Sequence, residues 1–151
     1  MTGPAVIGYD GSPAAKRAIS EVSGVLATRS VVVVSVWEPG LAFDLIHPDI
    51  IPAAIDVRTA MEVDEAMYER AQKLAAEGAS LAQQAGFGAE GLAVADEGTV
   101  ADTLLRIAKE RSASAVVAGT HGHRGLRALL GSTSTDLIKH ASCPVVVVRS
   151  P

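Results

Sequence analysis

Short apolar blocks alternate along the chain with segments whose apolar positions recur every three or four residues. The apolar blocks predict strands over 4–9, 30–37, 89–96, 114–119 and 143–149. The second block, SVVVVSVW, is β-branched and almost unbroken, which is typical of a strand buried on both faces of a parallel sheet. The pattern therefore predicts five strands separated by helices.

The segments between the strands predict four helices, which start near Pro13, Val57, Val100 and Ser132. Ser12 is a capping residue, and Pro13 fits the first helical position because the N–H that proline lacks would be unpaired there. Thr99 and Asp102 have the spacing of a capping box before the third helix. The second helix is long and amphipathic, with apolar positions Val57, Met61, Tyr68, Ala71, Leu74, Ala75 and Ala82.

The segment 38–56 does not fit either pattern. It is apolar but contains three prolines, which exclude a long regular element. A structureless connection of this length is uncommon in a compact domain. We therefore expect an ordered lid or contact segment that contains a short helical turn.

Strands that alternate with helices predict an α/β domain with a mainly parallel sheet and helices on both faces. We expect a single domain over 1–151. Ligands of such open sheets bind beyond the carboxyl ends of the strands, where the strand order reverses. Two segments meet this condition: the YDGS turn after the first strand and the long turn after the fourth.

Composition narrows the function classes. Apolar residues make up 48% of the chain and charged residues 20%, which is typical of a soluble globular protein. A net charge of −4 argues against nucleic-acid binding. The lone Cys143 excludes an intramolecular disulfide and is interpreted as a small residue at the start of a strand, with a reactive thiol as the alternative. Without a leader or an apolar run of about 20 residues, we expect a cytoplasmic protein that does not enter membranes.

The sequence GFGAEG at 86–91 matches the dinucleotide-binding pattern G-x-G-x-x-G. That fingerprint requires a strand before it and a helix after it, whereas here a helix precedes and a strand follows. Gly86 is interpreted as the residue that ends the second helix, and Gly88 and Gly91 as turn residues. A Walker phosphate loop is absent from the sequence as well.

The turn after the fourth strand, GTHGHRGLRALLGSTS at 119–134, has the context that a phosphate site requires: strand, glycine turn, helix start. The first turn of a helix presents unpaired N–H groups and the positive end of the dipole, which phosphate oxygens satisfy. Gly119 and Gly122 let the backbone approach a ligand without a Cβ. Ser132, Thr133 and Ser134 add hydroxyl donors to a helix over 132–141. The alternative is that these hydroxyls only cap the helix and the glycines only turn the chain.

At these residues the chain resembles the universal stress protein family, in particular its nucleotide-binding branch. The signature of that branch is a Gly, two residues, a Gly, nine residues and then Gly-Ser or Gly-Thr. Gly119 and Gly122 match its first part and Gly131-Ser132 its second, but only eight residues intervene. Further matches are VIGYDGSPAAKRAI, VVVVSVWEP and SCPVVVVR, so that the resemblance covers essentially the whole chain. It implies a Rossmann-like sheet in the order 3-2-1-4-5.

The resemblance also implies a site for ATP or another adenine nucleotide, with Mg²⁺ as an accompanying ion. Asp10 would hold the ribose hydroxyls, following Gly8 and Tyr9 at the end of the first strand, and the backbone of Val36 would meet the adenine. The residues that would line the phosphates are Gly119, Gly122, Gly131, Ser132 and Thr133, and His121, also assigned to the site, matches a position that is often histidine in similar proteins. The short spacing of the signature puts the position of Ser132 in question.

Alternative roles have to be considered for Asp10 and for the charged and titratable residues of the long turn. Asp10 has the position of a turn residue that binds its own backbone. His121 and His123 form a metal pair only if a third ligand exists, and the sequence offers none nearby, so we predict no metal site. Arg124 and Arg127 are expected to be solvated.

Three functions follow for the chain. The first is a nucleotide-binding stress or regulatory protein with little or no hydrolysis, since the cradle lacks a phosphate-loop lysine and we assign no catalytic residue. The second is a weak ATPase or nucleotide-dependent transferase that uses His121 or Arg124. The third is a nucleotide-free interaction module. We also expect a homodimer through the C-terminal strand, 145–149, because an exposed apolar edge is a liability unless it is covered and because the family commonly pairs this strand.

Overall fold

The structure, a computed structural model, describes residues 2–45, 56–96, 98–120 and 131–149. Its elements along the chain are β1 (Ala5–Gly8), α1 (Pro13–Val22), β2 (Ser30–Trp37), α2 (Val57–Gln84), β3 (Gly88–Ala95), α3 (Val100–Glu110), β4 (Ala115–Gly119), α4 (Ser132–His140) and β5 (Val145–Val148). The predicted elements are all present, with bounds that differ by one or two residues at several ends.

The five strands form one sheet in the order β3-β2-β1-β4-β5, with every pairing parallel. The predicted fold class, parallel pairing and strand order are therefore confirmed. β1 lies in the centre: Gly8 is in register with Val34 of β2, and Ile7 with Val117 of β4. The strand order reverses between β1 and β4, which makes the carboxyl ends of these two strands the crevice where open sheets bind ligands.

The core has two layers, one on each face of the sheet. On one face α1 and α2 cover a cluster that includes Ile7, Ile19 and Val33, and on the other α3 and α4 cover a cluster that includes Leu104 and Leu137. Neighbouring residues of β2 point to opposite faces and are all buried from Val31 to Ser35. Burial on both faces explains the unbroken apolar run in its sequence.

Side chains at the helix starts accept the N–H groups that a helix leaves unpaired. Ser12 Oγ accepts from the Ala15 N–H at 3.1 Å and Thr99 Oγ1 from the Asp102 N–H at 3.1 Å, as the sequence predicts. α2 has a cap that the sequence analysis missed. Asp56 Oδ1 accepts from the Thr59 N–H at 2.7 Å, and this bond holds the pKa of Asp56 below its ordinary value.

Helix α2 packs on the sheet through small residues of its second half, among them Ala71, Ala75 and Ala82. Near its start Ala60 is buried as well, whereas Val57 and Met61 are 57% and 60% exposed. The apolar spacing thus indicates the helix correctly but overstates how much of it reaches the core. The close approach needs small residues, because a Cβ on Gly78 would lie 2.6 Å from Val33 Cγ1.

Of the glycines in the GFGAEG sequence, Gly86 has the expected role and Gly88 and Gly91 do not. Gly86 follows α2 at φ +98°, as a helix-terminating glycine does. Gly88 and Gly91 lie in β3, so the interpretation of both as turn residues is wrong. Gly91 is there because α2 crosses the strand: a Cβ at this position would lie 2.6 Å from the carbonyl oxygen of Ala75.

The connection between β2 and α2 contains the short helical turn that was expected, a 3-10 helix over Phe43–Leu45. The Gly40 N–H donates to both carboxylate oxygens of Asp64, at 2.9 and 3.1 Å, which ties this connection to α2. Residues 46–55 of the proposed lid lie outside the described residues. Among the helices described, none combines the length and apolar character that crossing a membrane requires.

Candidate functional site

The turn between β1 and α1 presents Asp10 at the carboxyl edge of the sheet. Its side chain is exposed, and Oδ1 accepts a hydrogen bond from the Ser12 N–H at 2.9 Å. The alternative of a turn-forming aspartate is therefore seen in the structure. A carboxylate has about four acceptor positions, so this contact is compatible with ribose hydroxyls as further donors. The turn needs Gly11, which has φ +80°.

The two predicted site residues before Asp10 belong to the scaffold of the sheet. Gly8 ends β1, and its Cα faces Leu104, because a Cβ there would lie 3.0 Å from Leu104 Cδ1. Tyr9 is 3% exposed, and its ring packs among the core residues under α2. The Tyr9 hydroxyl donates to the carboxylate of Glu77, and burial, followed by this contact, raises the pKa of Tyr9 well above its ordinary value. The Tyr9 side chain thus lies in the core layer under α2.

The main-chain groups of Val36 in β2 point towards the end of β1. Val34 accepts the Tyr9 N–H from the β1 side, and Trp37 accepts the Asp96 N–H from the β3 side. Since successive residues of a strand turn their N–H and C=O groups to opposite neighbours, those of Val36 point to the β1 side. There the chain of β1 leaves the sheet at Asp10. The half-buried side chain of Val36 packs against the cluster under α3 and α4, on the face of the sheet opposite to the Tyr9 ring.

Gly119 ends β4 and faces β1 from the other side. Thr120 donates its N–H to the Val148 oxygen of β5 at 2.9 Å, so by the same alternation the main-chain groups of Gly119 point towards β1. Its missing side chain serves helix packing. A Cβ on Gly119 would lie 2.7 Å from the carbonyl oxygen of Ala14 in α1. The first turn of α1 can therefore reach the end of β4 only over a glycine.

Helix α4 begins at the end of the long turn after β4. Gly131 is its N-cap residue, with φ −61° and ψ 164°, and no side chain caps the first turn among the described residues. Ser132 is exposed and Thr133 half-buried, while Ser134 is buried. The N–H groups of these three residues have no carbonyl partner within the helix, and the positive end of the helix dipole lies there.

The structure thus brings the ends of β1, β2 and β4 together around Asp10. His121 and Gly122 lie outside the described residues, as do His123, Arg124 and Arg127. Within the described part of the chain, no group of three His, Cys, Asp or Glu side chains has the arrangement of a metal site.

Comparison with known proteins identifies the family. The model of the universal stress protein family matches residues 1–149. The chain belongs to this family.

Relatives of this universal stress protein are found in bacteria and archaea. A universal stress protein of Thermus aquaticus is 30% identical over 147 residues, which cover 95% of this chain and 96% of the relative. One of Methanocaldococcus jannaschii is 45% identical over 56 residues, 36% of this chain and 33% of the relative. One of Coxiella burnetii is 31% identical over 97 residues, 64% of each chain. The matches therefore span less than two thirds of the last two relatives.

Solved structures share the fold. The protein MJ0577 aligns with a TM-score of 0.75 at 20% identity over 100% of this chain and 98% of its own. An Archaeoglobus fulgidus universal stress protein solved with dAMP has a TM-score of 0.60 at 21% identity, covering 98% of this chain and 99% of its own. An Arabidopsis thaliana family protein solved with AMP has a TM-score of 0.61 at 17% identity, covering 99% and 92%. A universal stress protein solved with cAMP has 0.63 at 21% identity, covering 99% and 98%.

The sequence analysis missed two polar residues of this universal stress protein that support the site. Ser35 is 2% exposed and donates through Oγ to the carbonyl oxygen of Tyr9 at 2.8 Å. Glu77 of α2 accepts the Tyr9 hydroxyl. Ser35 could have been noticed as the only polar residue inside the run VVVVSVW. Nothing in the sequence of α2 distinguishes Glu77 from the other charged residues of its exposed face.

Proposed function

We propose that the chain binds an adenine nucleotide, ATP in the first place, in the crevice between β1 and β4. The observation that carries this proposal is the start of α4, where Gly131 is the N-cap residue, no described side chain caps the first turn, and the hydroxyl residues Ser132, Thr133 and Ser134 follow. Phosphate oxygens are good partners for such N–H groups. Asp10 on the adjoining strand end would hold the ribose, and the main chain of Val36 would meet the base.

The family supports the same ligand class. Solved proteins of this fold hold AMP, dAMP or cAMP. All of these proteins are under 25% identical to this chain, so that nucleotide binding by this chain is part of our proposal. His121 and Gly122 belong to the proposed site as well, in the part of the turn outside the described residues. We keep the proposed role of Gly131 and Ser132 despite the shorter signature, because they are the N-cap and the first residue of α4, where the helix has unpaired N–H groups.

Calorimetric titration tests the binding proposal. Wild-type protein is titrated with ATP and with AMP, each with and without Mg²⁺, and saturable binding is expected. Asp10→Ala should weaken both ligands about tenfold or more, since a hydrogen bond to a charged group is lost. Gly122→Val should abolish binding with an unchanged circular dichroism spectrum, because it puts a branched side chain where phosphate oxygens are proposed to lie. A flat wild-type titration would instead favour the nucleotide-free interaction module.

We further propose a regulatory protein in the stress response, with little or no hydrolysis. Phosphoryl transfer needs cationic groups that stabilise the negative charge of the transferred phosphoryl group, and an oriented nucleophile. The proposed cradle consists of N–H groups and hydroxyls, which suits holding a nucleotide. Phosphate release by the purified protein, with His121→Ala for comparison, tests this. Turnover near about 1–100 per second, typical of kinases, would establish the enzyme alternative.

The proposal also includes assembly and location. The chain is proposed to act as one domain over 1–151 and as a homodimer through β5, which is an edge of the sheet with four half-buried valines. We propose a cytoplasmic location, because a lone cysteine lacks the disulfides that mark many secreted domains of small size. Neither nucleic acid nor a membrane is among the proposed partners.

A further inference from the structure

Glu77 of α2 contacts both sides of the turn that carries Asp10. Its carboxylate accepts the hydroxyl of Tyr9, which precedes Asp10, and lies 3.6 Å from Nζ of Lys16 in α1. We infer that Glu77 is a positioning residue for the nucleotide: through Tyr9 it fixes Asp10 in the orientation that receives the ribose hydroxyls. This inference rests on the proposed function and adds a residue to its site.

Tyr9 can transmit this constraint because its main chain is also held. Its N–H donates to the Val34 oxygen at 2.9 Å, and its carbonyl oxygen accepts from Ser35 Oγ at 2.8 Å. The carbonyl of Tyr9 belongs to the same planar peptide unit as the N–H of Asp10. With both ends of Tyr9 tied to β2 and its hydroxyl tied to α2, the orientation of that peptide plane is set before a ligand arrives.

The two contacts of Glu77, with Lys16 and with Tyr9, differ in strength. Lys16 and Glu77 have side chains that are 53% and 47% exposed, and ion pairs at such positions contribute little. Tyr9 is 3% exposed, and its hydroxyl donates a partly buried hydrogen bond to a charged acceptor, which makes this the stronger contact. The same face of α2 also abuts the turn directly, since a Cβ on Gly11 would lie 2.8 Å from Leu74 Cδ2. The effect of Glu77 is therefore expected to pass through Tyr9.

The test compares AMP with 2′-deoxy-AMP by calorimetry in the wild type, Tyr9→Phe and Glu77→Ala. Both variants should bind AMP about threefold to tenfold more weakly, the effect of one lost hydrogen bond. They should lose less affinity for 2′-deoxy-AMP, because that ligand lacks one of the hydroxyls assigned to Asp10. Glu77→Gln keeps an acceptor oxygen for Tyr9 and should retain most of the AMP affinity.

A double-mutant cycle separates positioning from general stability. In an Asp10→Ala background, Tyr9→Phe should have no further effect on AMP affinity, because the group through which it acts is gone. Tyr68→Phe is the matched control: it removes a phenolic hydroxyl from an exposed residue of α2 that accepts only from Gln72 among the described side chains, and it should bind AMP like the wild type.

Three outcomes would overturn the inference. Equal losses for AMP and 2′-deoxy-AMP would show that Tyr9 acts on the fold in general, and additive losses with Asp10→Ala would show that it does not act through Asp10. Unchanged AMP affinity in Glu77→Ala would remove the residue from the site. Each leaves the proposed function intact if the wild type binds AMP, whereas a wild type that binds neither nucleotide overturns the proposed function and this inference together.

Discussion

Single residues at the ends of β1 and β4 combine structural and proposed ligand roles. Gly119 is an example, because the glycine that the sequence assigns to a ligand is required by helix α1. Asp10 likewise forms the turn that it is proposed to use for binding. At such positions a substitution that abolishes binding is informative only when stability is measured with it.

Gly119→Ala is therefore expected to destabilise the protein in the absence of any ligand. The added methyl group would lie 2.7 Å from the Ala14 oxygen, a main-chain atom that cannot move without shifting α1. We expect a loss of about 1–3 kcal/mol in the free energy of unfolding, measured from denaturant curves. Gly24→Ala serves as control, since its Cβ would find only an ordinary contact of 3.9 Å with the Glu21 oxygen. Equal stabilities of the two variants would mean that α1 does not pack on β4 as described.

At the scale of elements, the sequence predicted most of the architecture because its signals are local. β-branched runs, the Ser12 and Thr99 caps and the glycine after α2 each act within a few residues of where they occur. What the sequence did not predict depends on contacts between distant elements. Gly91 was mistaken for a turn residue because its role, the crossing of Ala75, is visible only once α2 and β3 are packed.

The residues of the candidate site likewise divide into those that local sequence signals indicate and those that depend on contacts between distant elements. Asp10 and the start of α4 could be found from turn and helix-start signals. The support that Ser35 and Glu77 give to Tyr9 spans 26 and 68 positions of sequence separation, and no local pattern reports it. Val57 and Met61 near the start of α2 are exposed although their spacing places them on the apolar face, and they show the same limit: periodicity indicates which residues share a face but not whether another element covers it.

The contact between α2 and β1 makes a pH-dependent contribution to stability. The hydrogen bond from Tyr9, and then the charge of Lys16, hold the pKa of Glu77 below its ordinary value of 4.5. A carboxylate with a lowered folded-state pKa stabilises the fold above its unfolded value, and this stability is lost as the pH falls through the folded value. The stability difference between the wild type and Tyr9→Phe should therefore be constant from pH 7 to about 5 and shrink below 4.5.

At alkaline pH the stability that the Tyr9–Glu77 contact contributes decreases as the pH rises, rather than as it falls. Because the folded-state pKa of Tyr9 is raised, the stability that its neutral phenol contributes is present below the ordinary value of 10.0 and is lost as the pH rises beyond it. Thermal unfolding followed by circular dichroism across this range should show a steeper alkaline decline in the wild type than in Tyr9→Phe. Tyr68→Phe should follow the wild type. Parallel curves for all three proteins would contradict the assigned Tyr9–Glu77 contact.

At the scale of the whole molecule, the free edge of β5 decides the proposed assembly. The N–H groups of Val116 and Thr120 are accepted by the oxygens of Pro144 and Val148, so alternate residues of β5 face β4. The residues between them, Val145 and Val147, turn their main-chain groups outwards. An edge of this kind pairs readily with a second copy of itself.

Val147→Pro tests that pairing without touching the β4–β5 ladder. Proline removes an outward N–H that a partner strand would use, while the inward groups of Val146 and Val148 stay in place. Light scattering at micromolar concentration should give twice the chain mass for the wild type and for the near-isosteric Val147→Thr, and the mass of one chain for Val147→Pro. Circular dichroism should be the same for all three. A dimer that survives Val147→Pro would place the interface on another surface. A monomeric wild type would exclude the homodimer, because only a second chain could cover the edge in the way proposed.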